Sequence, residues 1–194
     1  NVYTYASITG AGGAVAVSGG NVAIADQNNG SAGSGDQLNA LLDLRGLATF
    51  SYNNSAGTFR IAGNGQRRAN GEVYFAGTNS ITASAVPLGI GLSGIGAGPG
   101  KLHLGQTNAL FANTITVGQR TTSSLIDFQT GLTDPIVKIR ARDGISGVAN
   151  WYLGQNNSAN QSQSSSSGTC DFSAGILDAA VTNLYVGYFS AGTS

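Results

Sequence analysis

The chain repeats itself, and that constrains its fold more than any other feature. Ala109-Leu-Phe-Ala-Asn-Thr-Ile-Thr-Val-Gly118 returns as Asp178-Ala-Ala-Val-Thr-Asn-Leu-Tyr-Val-Gly187, 69 positions later (187 − 118). Leu104-Gly105-Gln106 returns as Leu153-Gly154-Gln155 after 49, and Ile126-Asp127-Phe128 as Cys170-Asp171-Phe172 after 44. These offsets are near two or three multiples of a unit of roughly 22 to 25 residues, the size of one solenoid coil.

The units themselves read as strands. Leu102-His-Leu104, Ile115-Thr-Val117, Ile126-Asp-Phe128, Val137-Lys-Ile139, Trp151-Tyr-Leu153, Cys170-Asp-Phe172 and Leu184-Tyr-Val186 each place apolar residues on alternate positions, the period of a strand with one buried face. Two such strands per coil give about 23 residues, hence about eight coils and a body about 40 Å long at about 4.8 Å per coil. The expected fold is all-β, a right-handed parallel β-helix with coils of about 23 residues, the hand following the general rule for parallel crossovers. An antiparallel sandwich fits less well, because few Asn-Gly or Asp-Gly hairpin signals are present and the matches fall at whole-coil offsets.

The solenoid is expected over residues 36–194, after an irregular segment 1–35 that either caps it or supplies a pairing strand. Ala14–Val17 and Asn21–Ala25 read as strands, and 27–36 as a loop of turn chemistry. Asp36 either caps a short helix carrying Leu38, Leu41 and Leu42, or precedes a first strand at Leu41–Leu44. Phe59-Arg-Ile61, Val73-Tyr-Phe75 and Val86–Leu92 continue the strand pattern, and the tract 158–168 reads as a projecting loop.

Composition narrows the functional classes. Charged residues make up 9%, against about 25% in ordinary soluble domains, and the nine basic and nine acidic side chains cancel. Such a chain has no electrostatic pull on nucleic acid, and low net charge permits self-association. No apolar run is long enough to span a membrane as a helix. The sequence starts at Asn1 without a basic-then-apolar leader, which reads as a mature or internal piece of an extracellular protein. Neither end shows a charged or proline-bearing terminal coil, so the solenoid is expected either to continue in a longer parent or to stack head to tail on copies of the same chain, which are then its expected partners.

Leu104-Gly-Gln-Thr-Asn-Ala-Leu110, Ile115-Thr-Val-Gly118, Gly168-Thr-Cys-Asp-Phe172 and Leu184-Tyr-Val-Gly187 resemble the Gly-rich β-helical repeat proteins of bacterial cell surfaces, the autotransporter-passenger type included. The resemblance spans about residues 40 to 190. It implies a secreted, elongated right-handed solenoid used for adhesion or surface structure, and carries over no catalytic residue.

A search for chemistry gives little. His103 is the sole histidine, expected outward and solvated between Leu102 and Leu104; it excludes a His-rich metal site, and no Gly-x-Ser-x-Gly elbow accompanies it. Cys170 reads as a buried, unreactive thiol. Asp127 and Asp171 match as outward positions; two coils apart they would lie roughly 10 Å from each other, near the spacing of inverting glycosidases. Neither stands in a cluster that would raise a carboxyl pKa, so the expectation is no enzyme, no cofactor and no metal. Lys138, Arg140 and Arg142 read as a basic stripe on one face, with Arg120 nearby, and Tyr152 and Tyr185 as outward aromatics. Lys138, Arg140, Arg142, Tyr152 and Tyr185 together form a candidate lateral binding face for surface glycans. The functional expectation is an extracellular structural protein that assembles end to end into filaments or forms part of a surface stalk; the alternatives are an adhesin or glycan-binding module and, last, a polysaccharide hydrolase or lyase.

Overall fold

A computed structural model describes residues 2–26, 38–63, 69–91, 98–121, 123–156 and 165–189. Among these the chain is all-β, without helix, and every strand pairing is parallel.

The strands in chain order are β1 (Val2–Ser7), β2 (Gly10–Ser18), β3 (Val22–Asp26), β4 (Leu38–Asp43), β5 (Leu47–Gly63), β6 (Ala69–Tyr74), β7 (Thr78–Ile90), β8 (Gly100–Leu104), β9 (Thr107–Gln119), β10 (Ser124–Phe128), β11 (Ile136–Arg140), β12 (Val148–Gln155), β13 (Gly168–Asp171), β14 (Ile176–Ala179) and β15 (Val181–Val186). A six-stranded sheet has the order β1-β4-β6-β8-β10-β13. The second sheet follows β2-β5-β7-β9-β11-β14, while β3 pairs with β5, and β12 bridges β9 and β15. The first halves of β5 and β9 therefore pair with β2 and β11, and their second halves with β3 and β12. The chain thus visits three files of strands in turn before returning one strand further along. Parallel strands need such long crossovers.

The registers replace the 23-residue unit. Thr49 lies beside Thr78, Thr78 beside Thr107 and Thr107 beside Ile136, each step being 29 residues (78 − 49, 107 − 78, 136 − 107). A full return takes three strand runs rather than two, which lengthens the unit. The 69-residue match is two steps of 36 and 33, through Thr114, Asn150 and Asn183. The 44-residue match is one step, since Ile126 pairs directly with Cys170. Leu104 and Leu153 lie on different files, β8 and β12, so that match has no structural counterpart. Six strands deep at about 4.8 Å each, the six-stranded sheet spans about 29 Å rather than 40.

The helical option near Asp36 is also corrected. Leu38–Asp43 forms β4, where Leu38, Ala40 and Leu42 share their alternating phase with buried Ala69, Gly71 and Val73 of β6. Asp36 and the loop 27–36 lie outside the described residues, as does most of the tract 158–168. Within 1–35, β1 extends the six-stranded sheet, and β2 and β3 pair with β5.

The core lies between the files. Phe50, Tyr52, Phe59 and Phe75 interlock with ring centroids 5.8–6.2 Å apart, in the offset and edge-on geometry aromatic quadrupoles favour. Ile61, Ile81, Leu88, Leu102, Leu104, Leu110, Ile115 and Ile126 are fully buried around them. At the corner before β7 and β9 two asparagines stack inside. Asn79 Nδ2 donates to the Ala76 carbonyl (2.8 Å) and to Asn108 Oδ1 (2.9 Å), while Asn108 Nδ2 donates to the carbonyls of Gly105 (2.8 Å) and Ile136 (3.0 Å). The turn needs glycine at 105, because a Cβ there would sit 1.8 Å from the Ala76 carbonyl oxygen.

Candidate functional site

On the outer face of the six-stranded sheet, parallel register aligns the out-pointing residues of successive strands. Tyr5, Leu41, Glu72, Lys101, Leu125 and Thr169 form one row; Ser7, Asp43, Tyr74, His103, Asp127 and Asp171 form the next. These rows hold the densest group of titratable side chains among the described residues.

His103 is its centre. Nδ1 lies 2.6 Å from Asp127 Oδ1 and Nε2 lies 3.0 Å from Glu72 Oε1. The imidazole stacks on Tyr74 with centroids 4.4 Å apart and 21° between planes, and the Tyr74 hydroxyl donates to Glu72 Oε1 at 2.9 Å. Arg45 sits 4.4 Å over the Tyr74 ring and forms a bidentate pair with Asp43 at 2.9 and 2.6 Å.

The electrostatics follow from that geometry. Burial by itself disfavours the imidazolium, but the bonds to Asp127 and then Glu72 outweigh it, and the His103 pKa is raised. A neutral imidazole has one N–H, so one of the two carboxylates would face a ring lone pair; the protonated ring satisfies both. Asp43 is held below the usual carboxylate range by its hydrogen bond from Arg45, and burial raises the Tyr74 phenol.

His103 points outward as expected, yet it is not solvated: its side chain is only 12% exposed. Neighbours at one strand's remove on either side enclose it. Asp127 and Asp171 are register partners on adjacent strands, so the spacing of roughly 10 Å does not hold. Asp171 instead accepts from the backbone N–H and hydroxyl of Ser173. Cys170 is half-buried, and burial pushes its thiol up to about 12.

The basic stripe is not a single surface. Lys138 and Arg140 face outward on β11, with Arg140 bound to Asp178 Oδ1 at 2.6 Å. Arg142 falls beyond the strand, in a turn, and reaches the Ser55 carbonyl at 3.2 Å. Arg120 is buried at the end of β9. The chain bends after Arg140 because Asp143 organises a turn, accepting from the N–H groups of Ile145 and Ser146. Tyr152 and Tyr185 do meet, on the β12–β15 file, stacked at 4.8 Å and 11°, with Tyr188 against both. They occupy a different file from Lys138 and Arg140, and each ring covers its neighbour.

Sequence reasoning missed Glu72, Asp43 and Arg45. The available signal was the shared out–in–out phase of Glu72-Val-Tyr74, Lys101-Leu-His103 and Leu125-Ile-Asp127, which brings their polar residues together once the register is known. Beside this cluster, over β1, β4, β6 and β8, lies a groove of about 450 Å³ lined by Tyr3, Tyr5, Asn39, Asn70, Glu72 and Lys101 among others. Among the described residues no group of three or more His, Cys, Asp or Glu side chains is placed to hold a metal ion. No family model, curated protein or solved structure matches this chain.

Proposed function

We propose that this chain is a right-handed parallel β-solenoid that works outside the cell as a structural element, adding copies of itself head to tail. Registers that advance one strand per circuit support the solenoid, and a surface of Asn, Ser, Thr and Gly with few charges suits an extracellular setting. One observation carries the stacking. Leu177, Leu184 and Val186 hold the inward phase of their files yet are 44%, 58% and 74% exposed, whereas their register partner Val137 is 0% exposed and Trp151 is 5% exposed. A further layer of strands on β13–β15 would cover them and satisfy the open main-chain edge. The opposite end offers the unpaired edge of β1, with small inward-phase side chains at Thr4 and Ala6. Joining unlike ends is heterologous and does not close, so it builds filaments rather than dimers.

Electron microscopy of the purified chain tests this. Fibres with an axial repeat near 29 Å, six strands at about 4.8 Å, are expected, and Leu184→Lys combined with Val186→Lys should abolish them. Single particles at every concentration examined would sink the reading.

A further inference from the structure

We propose that the groove over β1, β4, β6 and β8 is a binding site for a neutral saccharide, with Tyr3 and Tyr5 as ring platforms and Glu72, Lys101, Asn39 and Asn70 as hydroxyl readers. The proposal does not require end stacking, although Tyr3 and Tyr5 lie on β1, the strand whose open edge that stacking would pair.

Three features of the site converge. Its volume, about 450 Å³, lies within the usual range for small-ligand sites. Tyr3 and Tyr5 alternate on one strand, the residues 77% and 65% exposed and about 7 Å apart along the chain. Large aromatic faces left open beside polar groups are the usual means of gripping the apolar face of a sugar ring while its hydroxyls are hydrogen-bonded. Asn70 Nδ2 donates to Asn39 Oδ1 at 2.7 Å, which fixes both amides against the groove wall.

The wall is preorganised as well. Glu72 Oε1 is pinned by the Tyr74 hydroxyl and by His103 Nε2, so its carboxylate need not be ordered on binding. His103 and Tyr74 are thus positioning residues behind the groove. Lys101 is the register partner of Glu72 and has no ion-pair partner among the described residues.

Charge selects a neutral ligand. Asp43 is matched by Arg45, while Glu72 and Asp127 flank Lys101 and His103, so the groove offers an acidic sugar no uncompensated cation. A uronate would find one ammonium with a carboxylate beside it. β4, β6 and β8 commit their backbone to neighbours on both sides, so a peptide strand finds a main-chain partner only at the open edge of β1 and none beside Glu72 and Lys101.

Isothermal titration of the intact chain with cellohexaose, xylohexaose and mannohexaose, and with a galacturonate hexamer as the charged counterpart, decides the matter. Binding of at least one neutral hexamer is expected. Tyr5→Ala and Glu72→Gln should each weaken it roughly tenfold, about 1.4 kcal/mol, while Tyr185→Ala, on another file, leaves it unchanged. Circular dichroism of each variant checks that the fold is retained, and Tyr3→Ala serves as a second platform variant. No binding of any neutral hexamer, preference for the galacturonate, or equal weakening by Tyr185→Ala would overturn the proposal.

Discussion

The middle of the molecule and its β13–β15 end follow one pattern and have different fates. Val137 and Leu177 are register partners in the same inward phase, as are Trp151 and Leu184. Val137 and Trp151 are buried because a layer of strands lies on each side; Leu177 and Leu184 have a layer on one side only. Alternation along a strand decides which way a side chain points, and the strands stacked above and below decide whether water reaches it. Burial in this architecture is therefore a property of three consecutive layers, not of one strand.

The largest expected effect tests that directly. Phe59 is fully buried and packs on Phe50, Tyr52 and Phe75, so Phe59→Ala should destabilise by about 3–5 kcal/mol. Leu184→Ala, in the same phase at the open end, should cost less than about 1 kcal/mol, since most of its surface is already wet. Chemical denaturation of both variants under non-assembling conditions makes the comparison. Similar costs would mean that the end is covered in solution.

That contrast also explains what the sequence could disclose. Strand type and facing were legible, because Leu102, Leu104, Ile115, Val117, Ile126 and Val137 alternate with polar residues and are all fully buried. The length of the unit was not. Inserts of different size stretch single steps to 36 and 44 residues, and the longest text match spans two unequal steps. The clearest 29-residue signal was Ala76-Gly-Thr-Asn79 against Gly105-Gln-Thr-Asn108, short and polar, and overshadowed by longer apolar matches. The polar cluster around His103 depended on that register. Its members lie 31 and 24 residues from His103 in sequence and become neighbours only across strands.

Those two asparagines give the next contrast. Asn79 and Asn108 are each 2% exposed and close the same corner on successive layers. Asn108→Ala removes the acceptor for the Gly105 N–H and for Asn79 Nδ2, and leaves the Gly105 and Ile136 carbonyls short of a donor. Leaving buried groups unpaired should cost about 1–3 kcal/mol. Asn150 and Asn183 form the matching pair at the open end, with Asn183 Nδ2 donating to the Ala149 carbonyl at 2.9 Å. Water replaces that bond when it is lost, so Asn183→Ala should stay within about 0.5 kcal/mol of the parent. A cost for Asn183→Ala near that of Asn108→Ala would show the end ladder to be sheltered.

The smallest effect is a pH dependence, and it again separates the middle from the end. His103 is faced by Glu72 and Tyr74 from β6, with Arg45 over that tyrosine, and by Asp127 from β10. Its folded pKa is raised above the ordinary 6.5, so folding favours the imidazolium. The stabilisation is therefore complete below about pH 6.5 and fades as pH rises through the folded value. No other histidine exists to mask it. The Cys170 thiol, pushed up to about 12 by burial, adds its own loss only as pH approaches 9.0, where the unfolded thiol ionises. Thermal unfolding midpoints should accordingly fall gently as pH rises above about 6.5, and His103→Gln should flatten the slope while lowering the midpoint at the acid end. Asp171→Asn, one layer further toward the open end and bonded only to Ser173 rather than to the imidazole, should leave the slope unchanged. A slope that survives His103→Gln would place the titrating group elsewhere and remove the imidazolium from the centre of the cluster.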